Sequence, residues 1–143
     1  MQEIYLEQTF NAPRKQIFGI LSDHEKLGDV LGAKITRIRN GDDGNVNGKG
    51  SVRKLSLAPG LAIEETITTC TPDSLIEYTI SKGSPLKNHK GTLEFSDVAG
   101  GTQLRYRIVF DTKYPIPFLG AGIRFGLEKA IGFGLGKLAK SLH

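Results

Sequence analysis

Apolar residues recur along this chain with two different periods, and the switches between them mark out its elements. Ile4, Leu6 and Phe10 lie two or four apart with Glu3, Glu7 and Thr9 between them, which predicts a half-buried strand. Asn11-Ala12-Pro13 ends it, with Asn11 expected to cap a helix whose first turn holds Pro13. Ile17, Phe18, Ile20 and Leu21 carry helical spacing to Ser22-Asp23, and a second short helix or turn covers residues 24–31. Neither is long enough to stand alone, so both must pack on something.

From Ala33 the period becomes two. Ile35 and Ile38 predict a short strand to Arg39, followed by a turn-rich run over residues 40–50. That run lacks the Gly-Lys-Ser/Thr ending of a phosphate loop and reads as a hairpin loop. Up to Tyr114 the pattern is strand, turn, strand. A loop at Ala58-Pro59-Gly60 pairs Leu57 with Leu61, Leu55 with Ile63 and Arg53 with Glu65. A loop at Pro72-Asp73 pairs Thr69 with Ile76, Ile67 with Tyr78 and Glu65 with Ile80. A loop at Ala99-Gly100 pairs Phe95 with Leu104 and Leu93 with Tyr106. Thr66, Thr68, Glu77, Thr79, Glu94, Arg105 and Arg107 then fall on the wet face.

Residues 115–143 return to the helical period. Leu127, Ile131, Leu135, Leu138 and Leu142 form one apolar stripe, with Pro115 and Pro117 placed to open the helix. Such a helix reaches roughly 36 Å, enough to cross a small sheet. The predicted order is strand, two helices, six strands, long helix: an α+β fold with an antiparallel sheet of about seven strands and its helices on one face. No repeat or linker divides residues 1–143, which are read as one domain.

Composition narrows the function classes. The 143 residues carry a net charge of +4, but Lys and Arg are dispersed, with Lys34, Arg37 and Arg39 the densest group, so nucleic acid is not the expected partner. The lone Cys70 forms no internal disulfide, and His24, His89 and His143 have no metal-ligand spacing. No cofactor is implied. Without a signal-peptide core or a bilayer-length apolar run, a reducing cytoplasm is the expected compartment.

The succession of residues 11–24, Gly48 to Arg53, Glu64-Glu65-Thr66-Ile67, Leu75 to Tyr78 and the closing helix resembles the superfamily of START-related lipid-transfer domains, birch-pollen-allergen-like proteins and bacterial polyketide cyclases. The resemblance spans nearly the whole chain and implies the helix-grip fold, a curved sheet wrapped around the C-terminal helix. The family pattern usually carries Trp where Phe18 stands, and this chain has no Trp. Members similar to this one typically hold a small apolar molecule between sheet and helix, and many have no demonstrated catalytic residue.

The inferred registers turn sixteen side chains inward: Arg53, Leu55, Leu57, Ile63, Glu65, Ile67, Thr69, Ile76, Tyr78, Ile80, Leu93, Phe95, Leu104, Tyr106, Ile108 and Phe110. Four have polar tips. An unpaired buried charge is costly, so Arg53 and Glu65 are expected to pair across their hairpin, as a plain structural ion pair or as the polar anchor of an apolar pocket. Tyr78 and Tyr106 suit either role. Arg124 and Glu128, an i, i+4 pair, lie beside the helical stripe; a start or bend near Gly126 is expected to put them in water, and otherwise they face the cavity mouth. Gly120, Gly122, Gly126, Gly132, Gly134 and Gly136 each disfavour a helix and call for close backbone approach, a bend or unfilled space.

The reading adopted is a non-catalytic carrier or sensor of a small hydrophobic ligand, as monomer or homodimer. The ligand is expected to meet Arg53, Glu65, Ile67, Tyr78, Phe95, Tyr106, Ile108, Arg124, Leu127 and Ile131. The first alternative is a polyketide cyclase or dehydratase, with Asp23 and His24 weighed as acid and base, although His24 is expected to be solvated at a helix end. The second is a lipid-handling module whose Phe125, Phe133, Lys129, Lys137 and Lys140 touch a membrane, against a core or dimer contact for the two phenylalanines.

Overall fold

Seven strands and three helices form among the residues described by the computed structural model, which are 1–42, 44–58 and 61–142. In chain order they are β1 (Gln2–Phe10), α1 (Arg14–Ser22), α2 (His24–Leu31), β2 (Lys34–Arg39), β3 (Val52–Ala58), β4 (Leu61–Thr71), β5 (Leu75–Lys82), β6 (Leu86–Val98), β7 (Gly101–Thr112) and α3 (Leu119–Ser141). The strands make one antiparallel sheet in the order β1-β7-β6-β5-β4-β3-β2. This is the α+β arrangement that the period changes predict and the helix-grip that the resemblance implies.

Alternation decides which side of each strand is dry. Ile4 and Phe10 of β1 and Leu104, Ile108 and Phe110 of β7 are fully buried, while Arg105 and Arg107 between them are in water. On the helix side, α1 buries Ile17, Phe18 and Leu21, and the Phe18 ring meets Phe95 of β6 edge-on at 5.3 Å between centroids. Arg14 fastens α1 to the far hairpins, donating from Nε to Asp97 at 2.8 Å and from Nη1 to the Asp73 carbonyl at 2.9 Å.

Several expectations are corrected. Asn11 does not cap α1; Pro13 is the N-cap, and its carbonyl accepts from the Gln16 and Ile17 amides. The expected Leu57–Leu61 pair is replaced by Ala58 with Leu61, because a bulge intervenes between Ser56 and Ala58. Asp43, His143 and the expected turn residues Pro59 and Gly60 lie outside the described residues. In the next hairpin Glu65 does face Ile80 and Ile67 does face Tyr78, but Thr69 meets Glu77 instead of Ile76. A bulge between Ile67 and Thr69 turns the alternation over, so Cys70 takes the place opposite Ile76. The loop that closes this hairpin spans Pro72, Asp73 and Ser74, with Asp73 at φ +61°, a left-handed conformation that Asp tolerates.

Pro115 and Pro117 precede α3 and are not in its first turn; its N-cap is Phe118, at φ +64°. The helix runs unbroken past Gly126 and packs along β1 and α2. Among its glycines, Gly134 is fixed by close approach: a Cβ there would stand 2.6 Å from the Val30 carbonyl oxygen of α2. A Cβ at Gly122, Gly126, Gly132 or Gly136 would meet open space.

Candidate functional site

The inner face of β3, β4, β5 and β7 concentrates the polar side chains that the fold buries. Period two along β3 and β4 brings Arg53 opposite Glu65, and both are nearly inaccessible, with side chains 4% and 8% exposed. Arg53 donates from Nε and from Nη2 to the same carboxylate oxygen, Glu65 Oε1, each at 2.9 Å. The guanidinium also lies over the Tyr78 ring, 4.9 Å from its centroid. Burial works to lower the Arg53 pKa, but Glu65 and the tyrosines more than offset it, so the net shift is upward and the group stays charged.

Tyr78 of β5 and Tyr106 of β7 come from strands separated by β6, and their hydroxyls hydrogen-bond each other. They meet because Gly91 of β6 has no side chain where the Tyr78 ring passes. Burial first, and then the nearby Glu65 carboxylate, pushes Tyr106 up to about 12. Tyr78 is raised for the same first reason, with Tyr106 and Glu65 adding to it. Both phenols are therefore neutral donors at neutral pH.

Two histidines complete this polar layer. His24 opens α2 and is fully buried, contrary to the solvated position expected of it. Asp23 is not its acid/base partner: the carboxylate caps α2, accepting from the Glu25 and Lys26 amides at 3.0 and 3.1 Å. His24 Nε2 lies 3.3 Å from the Ser51 hydroxyl, and its Nδ1 has no hydrogen-bond partner among the described residues. Burial, reinforced by Arg53 and Arg37, lowers its pKa to about 4. His89 reaches the inner face through a bulge between Lys87 and Lys90 that turns both Leu86 and His89 inward. Its Nδ1 accepts from the Ile80 amide at 3.2 Å, which places the ring proton on Nε2. Burial and Arg53 hold it also at about 4.

The expected ligand residues divide into three groups. Arg53, Glu65, Tyr78 and Tyr106 form the polar layer, with Ile67 and Ile108 buried among the core residues. Phe95 packs on α1 through Phe18, and Ile131 is buried in α3. Leu127 is half-buried. Arg124 stands apart: it donates from Nε to Gln2 of β1 at 3.1 Å and pairs with Glu128 at 3.4 Å. At 39% and 40% exposure, that pair is neither fully in water, as a bend near Gly126 would have it, nor joined to the Arg53 network.

Local pattern leaves Ser51 and His89 out of the expected site and puts His24, the candidate acid or base, in water, although a signal for each is present. Ser51 is two residues before Arg53, His89 is two before Gly91 and four before Leu93, and His24 shares a helical face with Leu27 and Leu31.

Burial is uneven across the inner face. Around the polar layer almost no surface is solvent-reachable. Toward the β3–β5 end Leu55, Ile63 and Ile80 are only half-buried, as are Ile123 and Leu127 on the stripe of α3 that continues to Ile131 and Leu135. A cleft of about 580 Å³ opens elsewhere, among Met1, Gln2, Lys87, Asn88 and Asp111. Its lining is polar, and the Met1 ammonium is paired with Asp111 at 3.3 Å.

Known structures share this fold. XoxI from Bacillus cereus superposes with a TM-score of 0.75 at 15% identity, over 99% of this chain and 96% of that one. The Aha1 dimer from Colwellia psychrerythraea gives 0.71 at 16% identity, over 99% and 96%. Ara h 8.0201 gives 0.68 at 20% identity, over 98% of each chain. No curated protein matches the sequence. A family profile described as polyketide cyclase / dehydrase and lipid transport matches residues 1–143, the whole chain, and the protein belongs to that family.

Proposed function

We propose that the protein binds a small hydrophobic ligand of lipid, polyketide or aromatic type between the sheet and α3, and carries or senses it without transforming it. Family and fold suggest a hydrophobic-ligand-binding domain. The observation that carries the finer reading is incomplete burial: the apolar Leu55, Ile63 and Ile80 on the sheet and Ile123 and Leu127 on the stripe of α3 are still reached by solvent, and they would form the mouth of the ligand space. Apolar surface kept wet in the free protein is covered when an apolar ligand arrives, at about 25 cal/mol per Å². Arg53, Glu65, Tyr78 and Tyr106 would form the polar floor, with Ile67, Phe95, Ile108 and Ile131 as the packing behind it and Arg124 at the rim.

The state of the polar layer supports binding over catalysis. Glu65 is already bonded twice by Arg53, and each tyrosine hydroxyl holds the other. The cyclase or dehydratase reading draws on one observation, the His24 Nδ1 with no partner among the described residues, which accepts a proton in the tautomer whose Nε2 donates to Ser51. Because His24 is fully buried, a substrate would reach it only if the layer opened.

The first test is native mass spectrometry of the purified protein, then extraction of what co-purifies. The second is titration with 1-anilinonaphthalene-8-sulfonate against wild type and Leu127→Trp, which fills the mouth. Bound apolar mass, and probe fluorescence abolished by Leu127→Trp, is the expected result. Equal fluorescence in both proteins removes the mouth as the binding place. Turnover of a polyketide thioester that His24→Gln abolishes would replace the carrier with the enzyme.

A further inference from the structure

The side of α3 turned away from the sheet is unlike an ordinary wet helix face. Its exposed residues are Gly122, Phe125, Gly126, Lys129, Ala130, Phe133, Lys137, Lys140 and Ser141. At 100° per residue they fall on one side of the helix, opposite Leu127, Ile131 and Leu135. Phe133 is 74% exposed and Phe125 62%. The N-cap, Phe118, continues their line at 88%, and the connection before it adds Ile116 at 56% and Tyr114 at 53%. Spacings of seven and eight residues set the three phenylalanines along about 22 Å of one helical edge. Neither the core nor the dry side of the sheet takes up these rings, so the expected core role of Phe125 and Phe133 does not hold.

The charges on this face all have one sign. Lys129, Lys137 and Lys140 are exposed on it, and it carries no carboxylate among the described residues; the helix's acid, Glu128, is drawn to the flank by Arg124. Lys129 stands over the Phe125 ring, 5.5 Å from its centroid. Phe133 and Lys137 also line a cleft of about 310 Å³ between α2 and α3, together with the half-buried apolar Val30, Leu31 and Leu138 and the exposed Asp29 of α2.

We propose that this outer face of α3, with the Tyr114–Phe118 connection at its head, docks on an anionic lipid bilayer. Aromatic rings at headgroup depth, with lysines that bury their stems and keep their ammonium groups beside lipid phosphates, are the composition an interfacial helix needs. Charge complementarity decides among the occupants. In a two-fold contact with a second copy, this face would set three lysines of each copy against three of the other, and Asp29 in the neighbouring α2–α3 cleft does not offset them, which disfavours pairing. A water-soluble polyanion would use the lysines and leave Phe118 and Phe133 wet. An anionic bilayer satisfies both groups. No described helix is long and apolar enough to cross a membrane, so contact lies in the interface. The surface is on the opposite side of α3 from the ligand space, and the two proposals stand independently.

The test is co-sedimentation of the full chain with phosphatidylcholine vesicles, with and without phosphatidylserine, at low and near-physiological salt. Wild type is expected to pellet with the phosphatidylserine vesicles and to be released as salt rises. Each lysine contributes about fivefold to partitioning, so Lys129→Gln, Lys137→Gln and Lys140→Gln together lower it about a hundredfold. Phe125→Ser with Phe133→Ser is expected to abolish binding while leaving the melting temperature unchanged. The proposal is overturned if wild type ignores phosphatidylserine vesicles, or if the triple Gln variant binds them as well as wild type. It is equally overturned if light scattering shows a dimer that Phe133→Ser converts to monomer, which would assign the face to a second copy.

Discussion

Replacing Glu65 by Gln removes one charge from the buried pair and leaves Arg53 in place without its counter-ion. The two guanidinium contacts of 2.9 Å converge on Glu65 Oε1, and neither side chain is more than 8% exposed, so water does not take over the lost interaction. Two charges about 4 Å apart interact by roughly 4 kcal/mol at an effective dielectric constant near 20. Measured losses on breaking one side of a buried pair are about 3–5 kcal/mol. Against a stability of about 5–15 kcal/mol for an ordinary domain, that is about a fifth of the total or more. Stacking on Tyr78 at 4.9 Å is present before and after the substitution and cancels from the difference. Glu65→Gln is therefore expected to destabilise by about 3–5 kcal/mol.

Urea unfolding at neutral pH, followed by far-UV circular dichroism, measures this directly. Arg53→Met with Glu65→Leu removes both charges at similar volume and is expected to recover most of the loss, from near neutral to more stable than wild type. A Glu65→Gln loss below about 1 kcal/mol with an unchanged m-value would refute the reasoning, since it would mean that water reaches Arg53. The same pair of variants separates stability from binding. If the ion pair is a polar floor, the apolar double variant folds but loses discrimination between ligands with and without a polar head.

Gly91→Ala drives a methyl group into the Tyr78 ring and is expected to cost about 1–3 kcal/mol and to alter the near-UV tyrosine signal; an unchanged melting temperature would show that the ring is free to move. His24 and His89 titrate at about 4 when folded and near 6.5 when unfolded, so the unfolded chain binds more protons in that interval. Stability is full above pH 6.5 and falls as pH drops to about 4, by at most about 3 kcal/mol for each, and His24→Gln with His89→Gln flattens the profile. Tyr106, at about 12, and the raised Tyr78 have the opposite window: stability is present below the ordinary tyrosine pKa near 10 and is lost as pH rises beyond it. Absorbance at the tyrosinate band, recorded with and without urea, checks whether both phenols resist ionisation until the chain unfolds.

Alternation and turn chemistry carry most of the fold, and their failures have a common cause. Arg53 opposite Glu65 follows from the apolar partners Leu55 and Ile63 beside them, because a one-residue slip would bury Lys54 and Glu64. Strict alternation turns Thr69 inward, since nothing in Thr-Thr-Cys-Thr distinguishes a continuous strand from a bulged one. The bulge before His89 hides that residue in the same way, although counting back from Leu93 reaches it. His24 is a different case. Its partners Leu27 and Leu31 announce its face, but a first-turn position argues for water, and the apposition of Ser51 is a long-range fact that local pattern does not contain. Gly134 is likewise explained only by where α2 ends in space.

The two ends of α3 differ in how firmly they are held. Its buried residues, Ile131, Gly134 and Leu135, all lie in the second half, where Gly134 packs on α2. The first half is tied to β1 by Arg124 and Gln2 but has only the half-buried Ile123 and Leu127 on its apolar stripe, no side-chain cap at Phe118, and glycines at 120, 122 and 126, none of them packed on α2 as Gly134 is. A missing cap costs about 1 kcal/mol, and each helical glycine up to about 1 kcal/mol relative to Ala. Local opening should therefore begin at residues 119–127, the segment that would border the proposed apolar mouth. Hydrogen exchange followed by mass spectrometry is expected to show faster exchange there than at residues 131–139. At Gly122 and Gly126 an added Cβ meets nothing within 4 Å, so Gly122→Ala with Gly126→Ala stabilises the segment by roughly 1–2 kcal/mol and slows its exchange about tenfold. Ligand uptake through this opening would slow in the same variant while equilibrium affinity held or rose. Uniform protection along α3, or an uptake rate indifferent to the two alanines, would place the way in elsewhere.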